Sequence, residues 1–311
     1  MKNEKSIVAV VVTHNRLNYL KECLNALRNQ TYKPDQILVV NNNSTDGTTL
    51  WLNEQADLTV IHQGNLGGAG GFYTGIKSGY DQGFDYIWVM DDDVEPELNC
   101  LELLFDSFNQ NDNVYDVLMP DRFYDKEKLS RWRYGTKFNF KNPFKNLGIG
   151  KGICATDNLE NKILPIVAFP FEGPMFKREV IEKVGNVENN FFINQDDTDY
   201  SIRTINAGFK IGVVTEALLP KKIFIDKKIG FKVDFKLYYL TRNSIILDRK
   251  FGNNLFALIR AFRINLKVLF KIIYKDLSVG NFQFANGIKI ILNAVIDGFK
   301  YQIDNKFKLN Q

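Results

Sequence analysis

Histidine and cysteine are scarce in this chain, and their scarcity excludes several kinds of chemistry. The 311 residues include two histidines, His14 and His62, and three cysteines, Cys23, Cys100 and Cys154. The histidines form no dyad with a serine or cysteine nucleophile, and the cysteines lack metal-ligand spacing. An odd and sparse cysteine count is typical of a reducing compartment without a disulfide framework. We therefore expect neither a nucleophilic hydrolase nor a cysteine-based metal site.

Long apolar runs are also absent. No stretch reaches the roughly 18 apolar residues that a membrane-spanning helix needs. The apolar run 7–12 is too short for a signal peptide, and His14-Asn15-Arg16 follows it instead of a small-residue cleavage site. The formal net charge of +4 is too small to indicate a nucleic-acid partner. The expected location is the cytoplasm, and nucleic acid is not an expected partner.

The first third of the chain alternates strand and helix patterns. Strand patterns, separated by helix patterns, occur at 6–12, 36–41, 58–63 and 85–90. This alternation predicts an α/β fold with right-handed crossovers and a mostly parallel, Rossmann-like sheet flanked by helices. We expect a catalytic domain over 1–225, with a nucleotide-binding half at about 1–95 and an acceptor-binding half at about 96–225. A helical C-terminal region is expected over 226–311.

A polar cluster follows each of the four predicted strands. The clusters are 14–16, 41–46, 65–71 and 91–93. In parallel sheets, ligands bind beyond the carboxyl ends of the strands. The four clusters therefore predict one binding site along one edge of the sheet.

Three consecutive aspartates, Asp91, Asp92 and Asp93, end the fourth strand pattern. Like charges placed side by side repel, and removing them from water is costly. A divalent cation would offset that cost, because Mg²⁺ and Mn²⁺ bind a few carboxylates and complete their shell with water and phosphate oxygens. An exposed acidic turn explains the three residues equally well, so the motif alone leaves both interpretations open.

The clusters 41–47 and 65–71 allow a ligand-binding and a structural interpretation. The first, NNNSTDG, offers amides and a carboxylate to a base or ribose, but it also has the composition of a turn and helix cap. The second, NLGGAGG, lets the backbone approach a ligand closely, because glycine carries no Cβ. Neither the Walker loop nor the Rossmann glycine fingerprint is present.

A second acidic centre lies in NQDDTDYSIR, residues 194–203. Asp196, Asp197 and Asp199 precede a predicted helix over 200–207. One of these carboxylates can act as a general base towards a hydroxyl nucleophile. Helix capping and compensation of the helix dipole account for the same residues in part.

The order of these stretches resembles a known enzyme family. VVVTHNR, LVVNNNSTDGT, NLGGAGGFYTG, WVMDDDVEPE, FEGPMFKREVIEKVG and INQDDTDYSIRTINAGFKI occur in the order seen in family 2 inverting glycosyltransferases of the GT-A fold. The resemblance covers about residues 5–245. Together with YYLTRN, the glycine-rich and DDD stretches are most similar to the bacterial galactofuranosyltransferase and rhamnosyltransferase branch. The triple aspartate combined with QDD favours galactofuranosyl transfer.

The resemblance implies transfer of galactofuranose from UDP-galactofuranose to a hydroxyl of a growing bacterial surface glycan. Rhamnosyl transfer from dTDP-rhamnose is the alternative. Two less favoured classes are a nucleotidyltransferase and a non-catalytic sugar-nucleotide-binding protein. The first lacks its usual N-terminal nucleotide loop, and turnover distinguishes the second from an enzyme.

The resemblance also implies a role for each matching residue. Contacts with the nucleotide sugar are implied for Thr13, Arg16, Asn41, Asp46, Gly67, Gly68, Gly71 and Asp92. Binding of a Mn²⁺ or Mg²⁺ cofactor is implied for Asp91 and Asp93. Contact with the acceptor is implied for Glu172 and Gly173. Asp197 matches the general base, and Asp196 matches a neighbour that orients the acceptor.

Two positions depart from the family pattern. Asn41 stands where the family usually has an aspartate that contacts the nucleotide. The family commonly supplies a metal-ligating histidine after the strand that follows the base helix, whereas residues 213–222 contain none. Glu216, water or Lys221 is left to take its place, so strict dependence on a metal is an open question.

The C-terminal region carries an amphipathic pattern with two interpretations. Over 254–275, apolar residues from Leu255 to Ile273 share one helical face, and Arg260 and Lys267 belong to a basic set beside it. The pattern predicts either a helical hairpin packed on the catalytic domain or within a homo-oligomer, or a helix on an anionic membrane surface. A lipid-linked acceptor at the inner face of the plasma membrane would give the second arrangement a purpose.

Overall fold

The computed structural model of the protein describes residues 5–110, 114–123, 137–145, 148–149, 162–222, 233–279 and 283–301. Within these ranges the strands are β1 (Ile7–Thr13), β2 (Gln36–Asn42), β3 (Thr59–Gln63), β4 (Tyr86–Asp91), β5 (Val117–Phe123), β6 (Lys137–Phe138), β7 (Gly148–Ile149), β8 (Ile163–Ile166), β9 (Met175–Lys177) and β10 (Ile211–Pro220). The α-helices are α1 (Leu17–Arg28), α2 (Thr48–Asn53), α3 (Gly67–Asp81), α4 (Cys100–Gln110), α5 (Arg178–Val184), α6 (Asp196–Asn206), α7 (Phe235–Phe251), α8 (Asn254–Val279) and α9 (Phe284–Lys300).

One sheet carries most of these strands, in the order β3-β2-β1-β4-β9-β5-β10-β8. The strands β3, β2, β1 and β4 are mutually parallel. The short strand β9 runs antiparallel between β4 and β5, and β10 pairs in parallel with β5. The predicted α/β class, a mostly parallel sheet flanked by helices with further helices at the C-terminus, is confirmed.

Strand β1 is buried on both faces, which explains its unbroken apolar sequence. Successive strand side chains point to opposite faces of a sheet. Ile7, Ala9 and Val11 accordingly pack in the cluster that contains the α1 leucines, whereas Val8 and Val10 pack in the cluster that contains Phe72 and Ile76 of α3. The first βαβ unit is therefore held between two apolar layers.

Glycines bring α3 unusually close to β1. Ideal Cβ atoms at Gly71, Gly75 and Gly79 would meet valine methyl groups of β1 at 2.4, 2.3 and 2.8 Å, respectively. Real Cβ atoms almost never come so close, so an alanine at any of the three would force α3 away from the sheet. This spacing of four residues places the three glycines on one face of the helix.

The second half of the sheet differs in detail from the sequence expectations. Helix α6 begins at Asp196, four residues before the predicted helix. Strand β10 runs on to Pro220 rather than ending near Val214, because a register shift between Val214 and Leu218 lets it continue along β5. The predicted domain boundary at 225–226 lies outside the described residues.

The packing of the C-terminal helices corrects one sequence expectation. Much of the apolar stripe of α8 is not packed on the catalytic domain, since Phe262 is 70% exposed and Leu255, Leu258, Leu266 and Phe270 are exposed as well, whereas Ile259, Leu269 and Ile273 are half-buried. Arg260, placed by sequence on the polar face, is 2% exposed and pairs with Asp248 of α7 at 2.6 Å. The small residues Ala257 and Ala261 are buried beside Arg260 and let α8 approach α7 closely. The narrow face of α8 that carries these three residues is therefore the buried one.

Candidate functional site

A cleft of about 480 Å³ opens at the carboxyl ends of β1, β2 and β4. The register pairs Thr13 with Asn41 and Val12 with Asp91, so these strand ends meet at one edge. Side chains from all four predicted polar clusters, from the loop before α6 and from α7 line the cleft: Val12, Thr13, His14, Arg16, Asn42, Asn65, Gly67, Gly68, Asp91, Asp92, Phe192, Ile193, Phe235 and Tyr239. The structure thus gathers six of the predicted site residues in one cavity.

Asp92 is buried and held from two sides. The Thr13 hydroxyl donates to its Oδ2 at 2.7 Å, and Arg16 Nη1 lies 3.1 Å from its Oδ1. The same Arg16 nitrogen reaches Asp93 Oδ2 at 3.3 Å. Because Arg16 follows β1 and the aspartates follow β4, the pairing of these strands brings the opposite charges together. The ion pairs of Arg16 with Asp92 and Asp93 are therefore formed before any ligand binds.

Lys221 is the second positive group in the acidic cluster. Its Nζ lies 2.5 Å from Glu172 Oε1, 3.4 Å from Asp93 Oδ1 and 4.0 Å from Asp91 Oδ2. The full length of β10 carries Lys221 to this place, and an isolated bridge to Val94 fixes it there. The sequence named Lys221 as one of three substitutes for the missing histidine, and the structure places it among the carboxylates.

Burial shapes the charge of the Asp91 side chain. The pKa of Asp91 is raised to about 7, with removal from water as the largest cause and the adjacent Asp93 and Asp92 carboxylates acting in the same direction. The nearby Lys221 and Arg16 charges oppose this rise because they favour the charged form. A cation brought to this point would therefore displace a proton from the cluster near neutral pH.

The cluster fits a divalent cation held by few protein ligands. The buried Asp93 Oδ1 has no hydrogen bond, and the Lys221 ammonium lies between it and Asp91 as a stand-in for a cation. Among the described residues no group of three or more His, Cys, Asp or Glu side chains has the geometry of a metal site. Asp91 and Asp93 would thus hold Mg²⁺ or Mn²⁺ with water and phosphate oxygens in the rest of its shell.

Glu172 links the acidic cluster to β5. Its carboxylate forms ion pairs with Arg122 on one oxygen and with Lys221 on the other. Arg122, for which no individual role was predicted, is 2% exposed at the end of β5. Gly173 adopts φ +94°, and a Cβ there would meet Leu219 and Pro120 at 2.7 Å. Its backbone N–H and carbonyl bond to β4, so Gly173 shapes the chain beside Glu172.

Three predicted donor-site residues do not line the cleft. Asn41 is buried, its Nδ2 lies within hydrogen-bond distance of Thr49 and His62, and its Oδ1 accepts from the backbone of Ser44. Asp46 accepts hydrogen bonds from the backbone N–H groups of Leu17 and Thr48. Gly71 faces β1. Turn formation and helix packing account for the contacts of these three residues, and their predicted contact with the nucleotide stays a prediction.

The predicted base lies at the first turn of α6. Asp197 Oδ1 accepts from the backbone N–H of Thr198 at 2.6 Å and from its hydroxyl at 3.1 Å. Burial and the neighbouring Asp197 charge raise the pKa of Asp196 to about 8. Burial also raises the pKa of Asp197, against the hydrogen bonds from Thr198 and the charge of Arg122. A carboxylate of raised pKa accepts a proton more readily, as a general base requires.

The loop before α6 is held in an uncommon conformation. Phe192, Asn194 and Gln195 have φ values of 64°, 67° and 70°. Residues other than glycine rarely adopt such values, and the strain persists only where surrounding contacts enforce it. One contact is at Gly67, where a Cβ would lie 2.1 Å from the Phe192 carbonyl oxygen. The glycine-rich start of α3 therefore seats the loop that carries the candidate base.

Asn243 of α7 secures the same loop from the other side. Its Nδ2 donates to the carbonyl oxygens of Phe191, Ile193 and Asn194 at 3.0, 3.0 and 2.8 Å. Beside it, the rings of Phe192 and Tyr239 stack with centroids 4.9 Å apart, at the wall of the cleft. Asn243 and Tyr239 belong to the YYLTRN stretch, for which the sequence predicted no individual role. That stretch was the one signal available for this contact.

Comparison with known proteins agrees with the fold. The family model described as Glycosyl transferase family 2 matches residues 8–184, which is more than half of the chain. The galactofuranosyltransferase GlfT1 of Mycolicibacterium smegmatis is 27% identical over 225 residues, covering 70% of this chain and 71% of that protein. The dTDP-rhamnosyl transferase RfbF of Shigella flexneri is 27% identical over 256 residues, covering 79% of this chain and 80% of RfbF.

A solved structure of GalNAc-T7 with UDP, GalNAc and Mn²⁺ is similar in fold. It aligns with a TM-score of 0.58 at 13% identity and covers 79% of this chain. The alignment spans 48% of the GalNAc-T7 chain, about half of its length. At this identity the likeness concerns the fold alone. On the extent of the family match, the protein belongs to glycosyl transferase family 2.

Proposed function

We propose that the protein is an inverting glycosyltransferase that moves galactofuranose from UDP-galactofuranose to a hydroxyl of a growing surface glycan. The observation that carries the proposal is the contact between the donor rim and the base loop. We define the donor rim as Thr13, Arg16, Gly67, Gly68 and the aspartates 91–93, and the base loop as residues 192–195. Phe192 and Ile193 line the same cleft as Asp91 and Asp92, and the base loop ends where α6 begins with Asp196 and Asp197. A donor held at the rim and an acceptor held at the start of α6 would therefore lie close together.

The donor nucleotide would lie along the carboxyl ends of β1 to β4. Arg16 is 41% exposed at its side chain, so its guanidinium is available to a diphosphate while it pairs with Asp92. Gly67 and Gly68 leave room for the backbone of α3 to approach the sugar nucleotide. The stacked Phe192 and Tyr239 rings offer an apolar wall to the base or the sugar.

The transfer itself would be a single displacement. Asp197 takes the proton of the acceptor hydroxyl as its oxygen attacks the anomeric carbon, and the bond to the nucleotide diphosphate breaks on the opposite face. Asp196, of raised pKa, retains a proton near neutral pH and donates a hydrogen bond that orients the acceptor. Glu172 lies between Arg122 and Lys221 and would bind a second acceptor hydroxyl.

Negative charge gathers on the diphosphate as it leaves. Arg16 and Lys221 are the groups of this chain placed to stabilise that charge. A divalent cation bound by Asp91 and Asp93 would supply further charge stabilisation to the same oxygens. When no cation is bound, the Lys221 ammonium provides a positive charge at that point, so we propose that transfer is stimulated by the metal rather than strictly dependent on it.

The rhamnosyl alternative rests on a specific comparison. RfbF matches a larger share of this chain than GlfT1 does, at the same identity. Both donors carry a nucleoside diphosphate, so the donor rim could bind either of them. The shape of the pocket around the sugar would then determine which donor is used. We propose that the acceptor is a lipid-linked glycan at the inner face of the plasma membrane. That the protein forms a homo-oligomer stays a prediction.

A donor panel tests the proposal. Purified protein is incubated with UDP-galactofuranose, dTDP-rhamnose, UDP-galactose or UDP-glucose, each with and without Mn²⁺, and nucleoside diphosphate release and transfer are measured. We expect turnover of UDP-galactofuranose to exceed the others. Preference for dTDP-rhamnose would replace the donor assignment, and turnover of none of them, with donor binding intact, would contradict the enzymatic proposal.

A further inference from the structure

Helix α8 presents a continuous apolar surface to solvent. We define the α8 surface as Leu255, Leu258, Phe262, Leu266, Phe270 and Leu277, whose exposed fractions range from 41% for Leu266 to 83% for Leu277. Their spacing places them along one side of the helix over more than five turns. Single exposed apolar residues are ordinary, but a contiguous patch of this extent indicates an interaction surface.

The opposite side of α8 is firmly packed, so the exposure does not come from a helix that fails to dock. Ala257, Ala261 and Ile272 are buried there, and the Arg260–Asp248 ion pair joins α8 to α7. Arg260 Nη2 also donates to the carbonyl oxygen of Asn139 at 2.7 Å. The packed side thus joins α8 to the neighbouring elements, and the α8 surface faces away from the residues that the structure describes.

Charge distinguishes among partners for this surface. Residues 254–300 hold seven Lys or Arg and two Asp, whereas the rest of the chain is nearly balanced, with 33 Lys or Arg and 34 Asp or Glu. Lys267 and Lys271 lie exposed beside the apolar stripe. A second copy docked face to face would bring like charges together, whereas an anionic bilayer matches both the charge and the apolar stripe.

We propose that the α8 surface binds an anionic membrane as an in-plane amphipathic helix. Its apolar side chains enter the boundary between headgroups and acyl chains while Lys267 and Lys271 pair with lipid phosphates. No helix in the described part of the chain is both long enough and apolar enough to cross a bilayer. The arrangement requires no crossing, since the helix lies parallel to the surface.

The docking surface is mechanically joined to the cleft. Helix α8 packs on α7, and α7 contributes Phe235 and Tyr239 to the wall of the cleft. Membrane binding would thus fix the cleft near the bilayer, where a lipid-linked acceptor presents its sugar. That purpose rests on the proposed function, whereas membrane binding itself is measurable without sugar transfer.

Vesicle co-sedimentation tests the inference on the full chain. The vesicles are phosphatidylglycerol with phosphatidylcholine, or phosphatidylcholine alone, at low and high salt. We expect binding to the anionic vesicles, weakened by salt, and a loss of at least about tenfold in Phe262→Ser/Phe270→Ser, given the apolar area removed. The matched control is Leu50→Ser/Phe144→Ser, which alters residues of similar exposure elsewhere and should bind as the unaltered protein does.

Charge-reversal substitutions separate the electrostatic from the apolar contribution to vesicle binding. Lys267→Glu/Lys271→Glu should lower binding to anionic vesicles, whereas Lys33→Glu/Lys141→Glu, with the same change in net charge at other exposed sites, should leave it nearly unchanged. Equal loss in both pairs would overturn the assignment to α8. Absence of vesicle binding would also overturn it. If, in addition, sedimentation analysis shows a dimer that Phe262→Ser/Phe270→Ser dissociates, the α8 surface binds a second copy instead of a membrane.

The outcomes also separate this inference from the proposed function. Donor turnover with a soluble acceptor should be the same in all four variants and in the unaltered protein. Turnover without vesicle binding would contradict membrane binding by the α8 surface and leave the proposed function intact. Vesicle binding without turnover of any donor overturns the proposed function alone.

Discussion

The donor rim and the α8 surface differ in how many contacts their side chains make within the chain. The charged groups of the rim are paired with one another, whereas the apolar side chains of the α8 surface are exposed to solvent. At the rim, Arg16 and Lys221 face the aspartates of β4, and each of the two cations contacts at least two carboxylates. On α8, large apolar side chains lie in solvent although the helix beneath them is packed. The charges of the rim are thus paired before a ligand binds, whereas the α8 surface is exposed in the described part of the chain and is proposed to be covered by a membrane.

The largest effect is expected at the base. Asp197→Asn removes the proton acceptor while keeping the size of the side chain, so transfer should fall by about 10²–10⁴-fold. Donor binding, measured by calorimetry with the nucleoside diphosphate, should stay within a small factor. Asp106→Asn, at an exposed helical position, serves as the control. Transfer by Asp197→Asn at the unaltered rate would refute the assignment of the base.

The loop contact from α7 should come next. Asn243→Ala removes the side-chain amide that donates to three carbonyls in and beside the strained loop, and we expect kcat to fall by about 10-fold or more with a smaller change in donor KM. Asn243→Asp should be no better, because a carboxylate offers the carbonyls no donor. Asn286→Ala, exposed on α9, is the control. A purely structural role would instead lower stability and leave the kcat of the folded fraction unchanged.

Lys221 tests how the rim is neutralised. Lys221→Met removes the ammonium from between Asp91, Asp93 and Glu172, so activity without added metal should fall by about 10-fold or more. Binding of Mn²⁺ alone, followed by electron paramagnetic resonance, should become tighter because a competing charge is gone. Lys222→Met, whose side chain pairs with Glu22 and Glu95, should change neither. Unchanged Mn²⁺ binding in Lys221→Met would show that the ammonium is not the stand-in for a cation.

The raised pKa of Asp196 predicts how stability depends on pH. Folding raises this pKa from 3.8 to about 8, so the folded state disfavours the charged form, and the stability present below about pH 4 is lost as pH rises through about 8. Asp196→Asn cannot ionise and should melt at least about 2 °C above the unaltered protein near pH 9. Near pH 4 the two should melt alike. Equal melting temperatures at both pH values would contradict the shift.

The smallest effect on folding is expected on α8. Phe262→Ser/Phe270→Ser alters side chains that already lie in water, so the free energy of unfolding should change by less than about 1 kcal/mol. Thermal unfolding in the absence of lipid measures it. A large loss of stability would mean that the α8 surface is covered within the chain, and the contrast with the rim would disappear.

The sequence was most informative where one local rule decided the outcome. The buried strands and the polar clusters after them follow from strand periodicity and from the direction of parallel strands, so the rim with Asp91 and Asp92 was predictable. The full length of β10 was not, because a register shift along β5 has no local signature. As a result, the position of Lys221 beside Asp93 emerged only from the structure.

Contacts between distant segments also escaped the sequence. Arg122 and Asn243 lie far along the chain from the residues they hold. Nothing near Arg122 marks it out, and the YYLTRN stretch around Asn243 indicates a family resemblance without naming its contact partners. The amphipathic pattern of α8 was correct, but periodicity alone does not tell which face packs. The close fit of Ala257 and Ala261 decided that the narrow face is buried and the broad apolar stripe exposed.

A single displacement with Asp197 as the base inverts the anomeric carbon, and the configuration of the product tests this most directly. Nuclear magnetic resonance of the glycoside formed from the preferred donor reads that configuration. We expect a configuration opposite to that of the donor, with product formation by Asp197→Asn reduced by about 10²–10⁴-fold. A product that keeps the configuration of the donor would contradict the single displacement and require a different mechanism.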